Sequence, residues 1–457
     1  MTRCRLLAEE IRRKQRSAES LVESALAQAR RHHAWNAYIF LDEQGALRQA
    51  RERDRANRRD GALFGVPIAV KDNVHVAGMP NTAGTPALKS FLPTHDAAVV
   101  RRLRDAGAVL MGKTNLHELA FGISSANAAF GEVGNAFDMD CIAGGSSGGS
   151  AVAVALGMAH AAVGTDTGGS VRIPAALNGL VGFRPTVGRY PNDGMTLIST
   201  TRDTAGPMVR DVADARLVDA VMAGYPVSTA TEIDPHQLRL GIPDTRFTDA
   251  LEPSLARVFG AALTRLERAG VTLVNVETSE IDRLNNELGG VVLYETARLM
   301  PDYLKRAGFE GSMVDFTASI ASADVRDIFG AIFSGTIDEA YYQHAMNTVR
   351  PALQQAYRDT LVGPQLDALI FPTVPMAARP LGEDRMSVLF DDQTVNAFGL
   401  YIRNTDPGSN AGIPGISVPA GIDARGMPVG VELDGAAGSD DHLLNVAECV
   451  ERIFADD

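Results

Sequence analysis

Apolar positions recur with helical spacing from residue 5 to residue 58, among many Arg, Glu and Ala, with a break around His32 to Phe40. The pattern predicts two or three amphipathic helices, spanning 1–60, that wrap the outside of a larger body. Beyond them the period changes. Gly65-Val-Pro-Ile-Ala-Val70 is an unbroken apolar run of strand length, Asp96 to Ala106 returns to helical spacing, and Ala108 to Met111 is strand-like again. This β-α-β alternation implies an α/β sheet under helical cover, with Lys71 at a strand end, where such folds carry their chemistry. Further strands are expected at Leu238 to Ile242, Val271 to Val276, Ala368 to Phe371, Ile416 to Pro419 and Val429 to Leu433. Residues 280–361 turn helical, with Tyr294, Met300, Tyr303, Phe309, Met313, Phe316, Phe329, Phe333 and Tyr341 at irregular spacing. They either cap a pocket or fill the core of a helical layer.

Two small-residue runs interrupt this pattern: Gly144-Gly-Ser-Ser-Gly-Gly-Ser150 and Thr165-Asp-Thr-Gly-Gly-Ser170. A flexible linker stays polar, whereas Ala151 to Val163, between the runs, is apolar except for Gly157 and His160. The runs therefore flank a buried segment. Glycine lets backbone approach a ligand closely, and serine supplies a hydroxyl that can donate, accept or attack.

The 457-residue length and the hydrophobic and charged shares of 45% and 22% suit one elaborated globular domain, 1–457. A net charge of −13 repels phosphate backbones, and the basic stretch Arg51 to Arg59 is broken by Glu52 and Asp54, so it reads as a solvated helix face. A direct nucleic-acid partner is not expected. Cys4, Cys141 and Cys449 give neither a disulfide framework nor a zinc pattern, which fits a reducing cytoplasm. The N-terminus turns charged before any signal-length apolar region, and no run reaches the roughly eighteen apolar residues of a membrane span.

A serine that attacks a carbonyl at neutral pH needs a base for its proton and donors for the oxyanion. None of the nine histidines stands in a recognisable catalytic context, and His117-Glu118 reads as an exposed helical pair. Lys71 remains: burial at a strand end disfavours its charged form, although a lysine there is more often simply solvated. Gly144 to Gly148 formally satisfies the G-x-S-x-G nucleophile elbow, but Asp138 to Ala143 before it is poor strand material. A P-loop fails because no Gly-Lys-Ser/Thr follows the glycines.

The stretch from Gly65 to Pro207 resembles the amidase signature family. The resemblance rests on Gly65-Val-Pro-Ile-Ala-Val-Lys-Asp72, Gly112-Lys-Thr-Asn115, Ala143-Gly-Gly-Ser-Ser-Gly-Gly-Ser150 and Gly164-Thr-Asp-Thr-Gly-Gly-Ser-Val-Arg-Ile-Pro174, and on the spacing of positions 71, 146 and 170. It implies one large α/β domain with a mixed, mostly parallel central sheet covered by helices on both faces, and a catalytic core over 65–207. It also implies a Ser-cisSer-Lys triad: Ser170 as nucleophile, Ser146 as the bridging serine after a cis Gly145-Ser146 peptide, and Lys71 as general base. The backbone N–H groups of Thr167, Gly168, Gly169 and Ser170 are the implied oxyanion hole. Asp166 and Arg172 brace this loop or form a surface ion pair, and Ser147 either bonds the site or caps the following helix.

The reaction so implied is hydrolysis of a carboxylic amide through an acyl-enzyme on Ser170, with no metal or organic cofactor. The partner is a small-molecule amide; a homodimer is compatible with the reading. Gly412-Ile-Pro-Gly-Ile-Ser-Val-Pro419, Met427 to Gly435 and Gly438 to Leu444 are similar to indoleacetamide and mandelamide hydrolases, which implies aryl or arylalkyl amides and a pocket lined from 280–400. Two alternatives stand beside this: the glutamine-amidohydrolysing subunit of a tRNA-dependent amidotransferase, and a non-catalytic scaffold. Length and acidic charge favour a stand-alone hydrolase over the first, and the intact triad speaks against the second.

Overall fold

Alternation at a period of two sets the architecture. In the computed structural model, which describes residues 3–227, 229–335, 338–382 and 386–455, Ile68 and Val70 of the strand Pro67–Lys71 face one core and Ala69 the other. The remaining positions of the expected 1–457 span lie outside the described residues. Ala161 and Val163 divide from Ala162 in the same way. Strands buried on both faces read as continuous apolar runs, which is why the run ending at Val70 was legible as a strand and Ala151 to Val163 as a buried segment.

Eleven strands form one sheet: β1 (Tyr38–Leu41), β2 (Pro67–Lys71), β3 (Val109–Thr114), β4 (Ala161–Asp166), β5 (Val181–Arg184), β6 (Thr204–Val209), β7 (Arg239–Pro243), β8 (Thr272–Val276), β9 (Ala368–Pro372), β10 (Gly415–Ile422) and β11 (Pro428–Asp434). Their order is β1-β3-β2-β4-β6-β5-β10-β11-β9-β7-β8. The sheet is mixed: β2 runs parallel to β3 and β4, β7 runs parallel to β8 and β9, and the strands between these two groups pair antiparallel.

One face is covered by α1 (Cys4–Arg12), α2 (Ala18–Arg31), α3 (Glu43–Arg55), α4 (Ala98–Asp105) and, later in the chain, the helices Val212–Ala223, Pro253–Arg268 and Asp440–Ala455. The other face receives α5 (Gly148–Ala155) and α6 (Arg172–Leu177), which follow the two Ser/Gly runs, and farther along the helices Ser279–Asn286 and Arg350–Val362. Each N-terminal helix turns its small and aliphatic residues inward, as Leu7, Ala8 and Ile11 do in α1. No helix among the described residues is long and apolar enough to cross a membrane.

The five later strands all join this sheet, within a residue or a few of the expected bounds. Four strands of the sheet escaped the reading. β4 was expected only as part of a buried apolar segment between the two Ser/Gly runs. β1 has only four half-buried residues on the sheet edge, inside the expected helix break. β5 and β6 carry Gly182, Gly206 and Pro207, residues that signal turns. Pro207 is tolerated because it is paired only to β4, at Val163, while the register with β5 begins at Met208.

Two expectations about side chains change. His117 and Glu118 are buried, not exposed: Glu118 accepts the N–H groups of Ala321 (3.1 Å) and Ser322 (2.7 Å), and His117 Nε2 lies 3.1 Å from Asp324 Oδ2. They fasten the helices of 313–333 onto the turn after β3, a long-range contact that local spacing does not reveal. The aromatic series of 280–361 resolves as core. Met300, Tyr303, Phe316 and Phe329 are buried in one cluster with Phe121, and Phe329 meets Phe121 edge-on at 5.1 Å.

Candidate active site

The two Ser/Gly runs lie side by side at the carboxyl ends of β2 and β4. Ser147 N–H donates to the Ser170 carbonyl (3.2 Å), and the Gly145-Ser146 peptide between them and Lys71 is cis. Gly145 is required by close approach, because a Cβ there would come within 2.9 Å of the Ser124 and Ser125 nitrogens. The Ser125 hydroxyl holds this turn, donating to Gly144 O (2.8 Å) and accepting Gly148 N–H (3.0 Å). Ser147 does not cap α5. Its Oγ bonds the backbone of Thr165 instead, at 3.2 Å to the carbonyl and 3.3 Å to the N–H, which stitches the first run to β4.

Lys71 ends β2 with the strand parity of Ala69, which directs it toward α5 and the first run. Its Nζ lies 2.8 Å from Ser146 Oγ and 2.8 Å from Thr165 Oγ1, and the side chain is fully buried. Lys113, on the neighbouring β3, is equally buried but has the Asp72 carboxylate 3.1 Å away. Burial lowers the pKa of both amines, and at Lys113 this ion pair opposes it. No carboxylate bonds Lys71, and burial brings it down to about 7 against the weaker pull of Asp166 and Asp203. Two buried lysines on adjacent strands thus differ in their surroundings: Lys113 has a bonded counter-ion that opposes the effect of burial, and Lys71 has none.

The second run is organised by Asp166. Its Oδ1 accepts Gly169 N–H (2.9 Å) and its Oδ2 accepts Val171 N–H (3.1 Å), so one carboxylate clamps the residues on either side of Ser170. Arg172 grips the same carboxylate at 3.0 and 3.1 Å and Arg184 adds a contact of 2.8 Å. Burial works to raise this carboxyl, but the two guanidinium groups hold it below the usual carboxylate range. The pair Asp166–Arg172 is fully buried, which removes the surface-ion-pair alternative. Arg172 continues to Glu432 (2.7 Å), Ser409 Oγ (2.7 Å) and the Thr405 carbonyl (3.1 Å), tying the loop to the C-terminal strands.

This arrangement revises one expected role. Gly169 N–H is committed to Asp166, whereas the N–H groups of Thr167, Gly168 and Ser170 have no acceptor among the described residues. Gly169 instead serves the turn. Its φ is +133°, and a Cβ would come within 2.2 Å of Thr405 Oγ1. Ser170 Oγ likewise has no hydrogen-bond partner among the described residues, and Thr167, Gly168 and Ser170 line a cleft of about 150 Å³.

The cleft walls are mostly apolar: Phe121 and Ile123 after β3, Ile173 of α6, Ile198, Val292, Phe398 and Ile402. Only Gly289, Val292 and Phe398 come from 280–400, and none of the aromatics singled out there reaches the cleft. Sequence reasoning missed the supporting set of Thr165, Ser125, Arg184, Glu432 and Arg202. Thr165 and Glu432 stood inside motifs of the resemblance without a role assigned to them; Ser125, Arg184 and Arg202 carried no local signal.

A buried amine near its neutral form, a bonded serine, a second serine facing an apolar cleft and three free N–H donors constitute equipment for acyl transfer at a hydroxyl. Comparison with known proteins places that class more narrowly: the chain belongs to the Amidase family, whose model matches residues 20–444. It is 43% identical to mandelamide hydrolase of Pseudomonas putida, covering 97% of this chain and 90% of that one, and 41% identical to indoleacetamide hydrolase of Agrobacterium vitis, covering 97% and 95%. A crystal structure of an amidase superposes with a TM-score of 0.89 over 99% of both chains at 34% identity.

The depressed Lys71 pKa makes a prediction about stability. The unfolded lysine, near 10.5, binds its proton over a range where the folded one, near 7, has released it. Charging Lys71 therefore costs stability fully below about pH 7, and the cost fades as pH rises toward 10.5. Lys71→Met removes this titration, so its stability relative to the parent protein should be greatest at pH 6 and fall by up to about 5 kcal/mol by pH 10. Urea unfolding at pH 6, 8 and 10 measures it; a difference independent of pH would mean that Lys71 is not held neutral.

Proposed function

We propose that this protein hydrolyses small aryl or arylalkyl carboxylic amides to the acid and ammonia or an amine. The observation that carries the reading is the 2.8 Å contact between Ser146 Oγ and the Lys71 amine, whose pKa is lowered to about 7, on a run bonded through its backbone to the one that carries the unpartnered Ser170 hydroxyl. In the proposed reaction Ser170 Oγ attacks the amide carbon as its proton passes to Ser146 and the Ser146 proton passes to Lys71. The N–H groups of Thr167, Gly168 and Ser170 receive the oxyanion. The C–N bond then breaks, the leaving nitrogen takes the proton back through Ser146, and water releases the acyl group from Ser170 by the same relay.

The substrate class is supported by the cleft. A volume of about 150 Å³ walled by Phe, Ile and Val is the size of cavity that accepts one benzene ring, which suits an aryl group on the acyl side. The relatives named for mandelamide and indoleacetamide hydrolysis support it from a second direction. The three cysteines are free and buried, which suits the reducing cytoplasm we propose as its compartment.

Steady-state kinetics on phenylacetamide, indoleacetamide, mandelamide and glutamine test the reading. The aryl amides should have the higher kcat/KM, and a preference for glutamine would overturn it in favour of an amidotransferase subunit. Ser170→Ala should reduce kcat on the best substrate by at least about 10³-fold without unfolding the protein, as circular dichroism would show. The activity of the unmutated enzyme should fall on the acid side below about pH 7, because a protonated Lys71 cannot accept the relayed proton. A profile flat down to about pH 5 is incompatible with a neutral-lysine base.

A further inference from the structure

The apolar cleft has one ionic feature. Arg202 and Asp406 both line it and are paired through Arg202 Nη2 and Asp406 Oδ1. Arg202 is 4% exposed, and a guanidinium in such a place ordinarily has its donors taken up by protein acceptors. Two of its nitrogens are: Nη2 by Asp406, and Nε by the Thr167 carbonyl at 3.1 Å. Nη1 has no acceptor among the described residues. The other Asp406 oxygen accepts from Asn410 Nδ2 (3.1 Å) and Asn285 Nδ2 (3.4 Å), so this carboxylate already holds three donors while the guanidinium keeps Nη1 free.

Arg202 is also held in place. The 198–203 turn that carries it is fixed from outside by Glu295, which accepts from the hydroxyls of Ser199, Thr200 and Thr201. From inside, Asp203 accepts Thr167 Oγ1 (2.6 Å) and the N–H groups of Ile198 and Ser199. The Arg202 carbonyl receives Arg184 Nη2 at 2.6 Å. The donor is thus preorganised and is bonded directly to Thr167, one of the residues whose free N–H faces the reacting carbonyl in the proposed reaction.

We propose that Arg202 is a specificity-determining residue whose free Nη1 donates to an oxygen acceptor on the acyl part of the substrate, on the carbon next to the scissile carbonyl, so that 2-hydroxy aryl amides are preferred over their 2-deoxy counterparts. The proposal rests on the aryl-amide reading above and deepens it. A charged donor in a mostly apolar cleft gains from such an acceptor and is left poorly satisfied by a substrate that lacks one, so discrimination is built into the wall without any added bulk.

The test is the ratio of kcat/KM for mandelamide to that for phenylacetamide. In the unmutated enzyme the ratio should exceed one by about tenfold or more, and in Arg202→Met it should collapse toward one, chiefly through loss of mandelamide turnover. Arg202→Lys, which keeps a charge for Asp406 and guards against misfolding, should retain part of the preference. If Arg202 only braces the Thr167 loop, both substrates lose activity together and the ratio stays put, which overturns the proposal while leaving the aryl-amide reading intact. An unmutated enzyme that hydrolyses neither compound overturns both.

Discussion

The Asp166 carboxylate is the constraint on which the rest of the site depends. It is fully buried, it is gripped by two arginines, and its oxygens take the N–H groups immediately before and after Ser170. Removing one partner of a buried ion pair costs about 3–5 kcal/mol because the remaining charge is stranded, so neither Arg172 nor Arg184 is a dispensable ornament. The cluster does more than hold a loop. Arg172 reaches Glu432, Ser409 and Thr405, more than two hundred residues away in sequence, so the position of Ser170 is tied to β11 and to the short helix Asp406–Ala411.

Electrostatics in this core is arranged in two opposite ways within a short distance. Asp166 remains ionised because two guanidinium groups are packed against it and both its carboxylate oxygens are bonded. Lys71 is denied such a partner and is pushed toward its neutral form by burial, while Lys113 on the next strand is given Asp72. The same low-dielectric surroundings therefore stabilise a fixed charge in one place and suppress one in another; the presence or absence of a bonded counter-ion decides which. An amine that can take a proton near neutrality follows from that omission.

The cleft shows how chemistry and selectivity are divided among the elements. The reacting groups come from β2, the turn before α5 and the loop between β4 and α6, all within one stretch of chain. The walls come from elsewhere: the turn after β3, Val292, and Phe398 and Ile402 just before the Asp406 turn. The helices of 280–361 give that wall only Val292, beside Gly289 just before its helix, and their buried aromatics support it from behind; Phe329 against Phe121 is a point of contact.

The strands β2, β3 and β7 to β11 were legible in the sequence, and so were the motifs that carry Ser146, Ser170 and Lys71, because both signals are local: a well-buried strand is a continuous apolar run, and the three residues lie in motifs of fixed spacing. The strands with internal Gly or Pro were not legible, since their place in the sheet depends on neighbours that pair around the breaker. His117 and Glu118 were misread for a related reason: a charged pair is exposed by default, and only the helices of 313–333 folding over it supply the N–H groups and the carboxylate that bury it. The same holds for Gly169, whose N–H is withdrawn from the expected donor set by an Asp166 carboxylate that the arginines hold in place, and for Arg202, Arg184 and Glu432, which meet the site across long sequence separations. Sequence by itself determined which chemical groups this protein has and which of them lie in shared motifs. Tertiary structure alone decided which are charged, which donors are free and what faces the substrate, because each of those depends on what is packed within a few ångströms and not on what is near in the chain.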